Sequence, residues 1–227
     1  HRRHEAFGVM KSEFEKESVV PRSKGIRMRR VLGSRVLLLV VALIGAGAVG
    51  CTAAPPPDGS LPCDPSIDVQ RAPGFDADLE STVPTAAFEG SPITLDSGRE
   101  CSEKRLGPLW GAGVRELRSA GGTFELGNET GYSVVTYRAN ALTIDALAYA
   151  FERGAAAARK TQGIQVERVN IGSWAGSRMT LLNGDHRQVI ILFQVPGEVG
   201  QVRGLLTSDL SNAVIEELLT RYEQALD

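Results

Sequence analysis

Between Ile164 and Leu206 the chain passes through four apolar-rich segments: Ile164–Ile171, Trp174–Leu182, Arg187–Val195 and Val199–Leu206. Only a few residues separate each from the next. Asn183-Gly184-Asp185 and Pro196-Gly197 supply the turn chemistry. Connections this short join antiparallel neighbours, because a parallel pair needs a crossover of about a dozen residues or more. The run Val189-Ile190-Ile191-Leu192-Phe193 is apolar at every position, so both of its faces must be covered and it predicts a central strand.

The flanking segments supply that cover. Ile144, Leu147, Ala148, Phe151, Ala155 and Ala158 recur at helical spacing, which predicts a helix over Thr143–Lys160 with Thr143 as N-cap. A last helix, capped by Ser208 or Asp209, presents Val214, Ile215, Leu218, Leu219, Tyr222 and Leu226. Upstream, Ala77–Val83 reads as a short helix stopped by Pro84, and Pro92–Asp96 as a strand. Glu100–Trp110 is helical with a break at Gly107-Pro108. Val114–Arg118 and Thr123–Leu126 read as strands with Gly121-Gly122 as the turn between them, and Tyr132–Arg138 as a further strand. The expected fold is α+β: an antiparallel sheet backed by two amphipathic helices, occupying residues 76–227 as a single domain.

The N-terminal part has a different character. Lys and Arg outnumber Asp and Glu ten to four in residues 1–50, and the balance reverses, fifteen to twenty-three, in 51–227. A basic head on an acidic body is the charge layout of an export signal. Met28-Arg29-Arg30 and Arg35 precede an uncharged apolar run of fifteen residues, Val36–Gly50. A membrane-spanning helix needs about 20 apolar residues, whereas the core of a signal peptide needs about 7–15. Residues 28–50 are therefore read as a signal peptide, and 1–27 as an upstream extension. Gly45-Ala46-Gly47-Ala48-Val49-Gly50 matches a dinucleotide-binding fingerprint. That mechanism requires a helix to start there, and Pro55-Pro56-Pro57 forbids one. Residues 51–75 are rich in Pro, Asp, Gly and Ser and read as a flexible linker.

The signal ends in Ala48-Val49-Gly50-Cys51, which resembles the lipobox of bacterial lipoproteins, with Ala48 in place of the usual Leu. That resemblance implies cleavage before Cys51 and acylation of its thiol. Several acyl chains, each CH₂ contributing about 0.8 kcal/mol, hold a protein firmly in a membrane. Further along come Leu79 to Pro84, Gly90, Ile93-Thr94-Leu95, the Ala-rich helix Ile144–Arg159, Val169-Asn170-Ile171-Gly172, and Thr207-Ser208-Asp209 before a closing helix. This layout is similar to that of small uncharacterised α+β lipoproteins of GC-rich bacteria such as Chloroflexi and actinobacteria. The resemblance covers about 150 residues. It implies a fold and an envelope location, and it transfers no catalytic residue.

With Cys51 acylated, Cys63 and Cys101 are the only thiols left. An exported pair favours a disulfide, closing a loop of about 38 residues that contributes roughly 3–4 kcal/mol. Other chemistry is sparse. His186 is the one histidine after residue 4, with Asp185 beside it in an expected turn, and no His-x-x-x-His or Cys-x-x-Cys offers a metal site. Gly172-Ser173-Trp174-Ala175-Gly176 misses G-x-S-x-G because Trp174 occupies the central place. Glu216-Glu217 falls on the solvent side of the last helix, Trp110 and Trp174 read as core anchors, and Asn128-Glu129-Thr130 as a chance glycosylation match. The acidic body argues against nucleic acid as a partner. The functional expectation is a lipid-anchored extracytoplasmic lipoprotein, non-enzymatic and without a cofactor, that binds a protein or small molecule. The alternatives are an accessory subunit of an envelope complex and, behind that, an enzyme with a dispersed site.

Overall fold

The computed structural model describes residues 57–67, 70–127 and 129–226. The expected extension 1–27, the signal 28–50 with its glycine fingerprint, and the acylation site Cys51 lie outside them, as does Asn128. Eight strands form one antiparallel sheet: β1 Gln70–Ala72, β2 Thr94–Glu100, β3 Leu117–Gly127, β4 Thr130–Arg138, β5 Thr161–Ile171, β6 Trp174–Asn183, β7 His186–Phe193 and β8 Gln201–Ser208. The helices are α1 Ala77–Ser81, α2 Glu103–Leu106, α3 Pro108–Gly111, α4 Ile144–Ala157 and α5 Asn212–Gln224, with a 3-10 turn at Thr85–Ala87. The class is α+β. No helix among the described residues is long and apolar enough to cross a membrane.

The strand order is β1-β2-β3-β4-β8-β7-β6-β5. Two four-strand meanders therefore meet where β4 pairs with β8, and α4 carries the chain from the middle of the sheet to its far edge. β7 lies between β6 and β8, and Val189–Phe193 are all buried, as a central strand requires. Alternation along β7 sends Val189, Ile191 and Phe193 into one core and Ile190 and Leu192 into the other.

This two-sided strand decides where the helices go. Ile215, Leu218, Leu219 and Tyr222 of α5 join the core containing Phe193. Leu147, Phe151 and Ala155 of α4 join the core containing Leu192. The two amphipathic helices thus cover opposite faces instead of backing one. A sheet whose central strand is apolar on both sides cannot leave either side wet.

Several boundaries differ from the sequence expectation, each for a local reason. Gly121-Gly122 is no turn but the middle of β3, pairing with Val135 and Val134. A Cβ on Gly122 would sit 3.0 Å from Thr85 Cγ2, so the absent side chain lets the 3-10 turn close over the sheet. The β3–β4 pairing instead runs on to Gly127 and Thr130. Glu100 belongs to β2, and helix begins only after Ser102, whose hydroxyl accepts the Arg105 N–H at 3.2 Å. The last helix starts at Asn212, capped by Ser211. Ser208 remains in β8, and the Asp209 carboxylate is engaged elsewhere. β1 falls inside the segment read as linker, so ordered architecture begins before Asp76.

One charge is sunk into the α5-side core. The side chain of Arg203 on β8 is 4% exposed and forms two bonds to Glu198, at 3.0 and 2.6 Å. Its remaining donors reach the Thr136 hydroxyl at 3.1 Å and the Thr82 carbonyl at 2.5 Å. Four of its five N–H groups thereby find acceptors and its charge finds a counter-charge, the conditions under which a buried ion is tolerated.

Candidate binding surface

Cys63 and Cys101 stand at disulfide distance, with Sγ atoms 2.09 Å and Cα atoms 6.2 Å apart. Beside them, the buried Arg99 of β2 gathers in the N-terminal segment. Its Nε donates to Gln70 Oε1 at 2.9 Å, and its Nη groups donate to the carbonyls of Asp58, Gly59, Leu61 and Pro62. The guanidinium lies 5.3 Å above the Phe75 ring. Gly59 is required by this close approach: a Cβ there would come within 2.2 Å of the Phe75 carbonyl oxygen. If residues 58–62 pulled away, a buried cation would lose most of its acceptors, which holds the segment against the β1–β2 edge. Nothing in the local sequence flags Arg99, because these carbonyls lie 37–41 residues upstream.

His186 opens β7 directly after the Gly184-Asp185 turn. Its Nδ1 is 2.5 Å from Asp209 Oδ2, and its Nε2 is 3.4 Å from Glu129. The structural partner is Asp209, 23 residues on, and not the adjacent Asp185. Asp209 has φ of 55°, a left-handed conformation that Asp tolerates better than most residues. Its other oxygen accepts the Arg187 N–H at 2.7 Å, which explains why it does not cap α5. The bond to Asp209 raises the His186 pKa and outweighs the opposing effect of burial, helped by the charges of Asp209, Glu129 and Asp185.

The sign of the resulting pH dependence follows from linkage. A raised folded pKa means the stabilisation is complete below the unfolded value of about 6.5 and is lost as pH rises through the folded value. His186→Gln should therefore flatten the decline in stability as pH rises above about 6.5. Urea midpoints measured across that rise for both proteins test this, and parallel curves would refute it.

The remaining candidates fall into structural roles. Trp174 is buried and stacks on Phe193, with ring centroids 5.5 Å apart. Trp110 is half-buried beneath Arg115, whose guanidinium carbon lies 4.2 Å from the ring centroid. Glu216 and Glu217 point to solvent and meet Arg178 at 3.4 Å and Arg221 at 2.7 Å. Gly172-Ser173 is the β5–β6 turn, so the near-miss to a nucleophile motif is a hairpin entering a strand. Thr130, the last residue of the glycosylation match, opens β4. Among the described residues, no group of three or more His, Cys, Asp and Glu is arranged to hold a metal ion.

Two depressions stand out among the described residues. A cleft of about 560 Å³ at one end of the sheet is lined by Glu116, Arg118, Arg138, Asn140, Val199 and Gly200, among others. Its arginines already have partners. Arg118 bonds Asp76 at 2.9 Å and Glu116 at 2.7 Å, and Arg138 clasps Gln201 Oε1 at 3.1 and 3.0 Å. A groove of about 200 Å³ runs between α4 and β5, lined by Asp145, Tyr149, Glu152, Val166, Glu167 and Arg168 together with Ala148 and Ser177. This second depression lies along the outermost strand of the sheet, and sequence periodicity could not show it because α4 and β5 each look ordinary alone. No family model, curated protein or solved structure matches the chain.

Proposed function

We propose that the protein is a lipid-anchored extracytoplasmic lipoprotein that works as a non-catalytic binding module. In this reading residues 28–50 direct export, Cys51 carries the acyl chains, and the antiparallel domain is displayed outside the cell membrane to a protein or small-molecule partner. The observation that carries the reading is the Cys63–Cys101 pair at disulfide distance, since such bonds persist in oxidising compartments outside the cytosol. The Arg99 clamp supports it. A tether ending in a disulfide and a ring of carbonyl bonds transmits an anchor's pull to the sheet without fraying. From Cys51 to Asp58 the chain reaches at most about 25 Å, at about 3.5 Å per residue, so the domain stays near the bilayer.

Cys51→Ser removes the acylated thiol and should move the protein from the membrane fraction to the soluble one. Fractionation of cells expressing each form tests it. Undiminished membrane retention of the variant would overturn the anchor.

A further inference from the structure

The sheet ends in two very different edges. β1 is three residues long and is held by the clamp. β5 is eleven residues long, bonds only to β6, and is mostly exposed along its length. Its outward N–H and C=O groups face no strand among the described residues. A row of free main-chain donors and acceptors is a template for another strand. Ile164, Val166, Val169 and Ile171 give it β-forming character, and no proline blocks it. A register shift between Gln162 and Gln165, where Gly163 takes φ of 62°, leaves residues 165–171 as a regular stretch.

The groove beside this edge says what kind of strand fits. Tyr149 is 54% exposed and Val166 43% exposed, which gives an apolar floor. Beside it stand two carboxylates, Asp145 and Glu152, and one guanidinium, Arg168, while the Glu167 side chain, which alternates with Val166, turns to the α5 face. Arg168 is bound to Asp145 at 2.9 Å, and Glu167 lies 4.0 Å from Arg178 on β6. Glu152 has no ion-pair partner among the described residues, so the groove's excess charge is negative. A second copy of the chain fits less well: twofold pairing centred on Arg168 or on Glu167 sets like charges directly opposite, which is destabilising, and among these central registers only one centred on Val169 avoids it.

We propose that the β5 edge takes up an extended segment of a partner protein as a ninth strand, a segment in which basic side chains alternate with apolar ones. Main-chain bonds to residues 165–171 hold it, its apolar side chains lie over Tyr149 and Val166, and a Lys or Arg meets Glu152. β5 also lies seven strand spacings from the clamped edge, about 34 Å at about 4.8 Å each, so tether and partner do not compete for one surface. The inference deepens the binding-module reading but does not depend on acylation of Cys51, so fractionation and the following test fail independently.

The probe is a capped heptapeptide alternating Lys and Val, with the Glu–Val heptapeptide as control, added to the purified full chain in detergent. Hydrogen exchange followed by mass spectrometry is the readout. The expected result is added protection of β5 amides by the basic peptide only, with affinity lowered roughly tenfold by the substitution Glu152→Lys at this half-buried position. Three results would overturn the proposal: no protection of β5, equal protection by the acidic peptide, or protection confined to the 560 Å³ cleft. Protection of β5 that rises with protein concentration in the absence of peptide would also overturn it, in favour of a self-paired edge.

Discussion

Glu198→Ala is expected to destabilise the domain by about 3–5 kcal/mol, because it strands the Arg203 guanidinium inside the α5-side core. The two partners are not equivalent. The Arg203 side chain is 4% exposed and the Glu198 side chain 28%. Without Glu198, Arg203 keeps neutral partners such as the Thr136 hydroxyl and the Thr82 carbonyl but loses its counter-charge. Without Arg203, the Glu198 carboxylate can turn outward. Arg203→Met, which preserves apolar volume, should therefore cost clearly less than Glu198→Ala. Urea denaturation of both variants checks the order, and equal or reversed costs would refute the asymmetry.

The same pair gives an acid-side signature. Burial pushes the Glu198 carboxyl up, but hydrogen bonds from Arg203 and Gln201, with the charges of Arg203 and Arg138, outweigh it and hold the pKa below the ordinary value. A depressed folded pKa contributes stability that is present above the unfolded value and lost as pH falls through the folded one. The cost of Glu198→Ala should shrink accordingly as the medium is acidified below about pH 4.5.

Removing the Cys63–Cys101 bond should cost roughly 3–4 kcal/mol, the chain-entropy value for a loop closed across 38 positions. The double variant Cys63→Ala/Cys101→Ala avoids leaving a lone thiol. Its loss is expected to spread into the carbonyl ring around Arg99, since residues 58–62 would then be held by hydrogen bonds alone. Denaturation with and without reductant measures the effect on the parent protein, and proteolysis near residues 58–62 reports the loosening. A parent protein whose midpoint ignores reductant would show that the bond contributes no stability.

Much of this molecule is written in local pattern. The antiparallel pairing of β5 to β8 follows from turns of two or a few residues, and the all-apolar β7 announces its central place. The buried stripe of α4, namely Leu147, Phe151 and Ala155, follows from helical spacing. Glu216-Glu217 on a solvent face and the hairpin at Gly172-Ser173 were legible for the same reason: a periodicity of two or 3.6 residues tells which side chains share a face. Two glycines in succession misled, because Gly121-Gly122 serves close packing against Thr85 rather than a reversal.

Other features have no local signature. Periodicity says that a helix has an apolar face but not which side of a sheet receives it, so the placing of α4 and α5 on opposite faces had to come from packing. The partners of Arg99, His186 and Arg203 include groups 37–41, 23 and 121 residues away. Those distances close only through strand pairing, β1 with β2 for Arg99, β7 with β8 for His186, and β4 with β8 for Arg203. The order of those pairings makes β5 the free edge, although along the chain it sits in the middle of the domain. Composition and spacing determined the class of the fold, its reversals and its greasy surfaces, because those depend on neighbours within a few residues. The third dimension alone decided which charges meet in the core and which long strand is left with one side unpaired, because such pairings belong to the whole sheet.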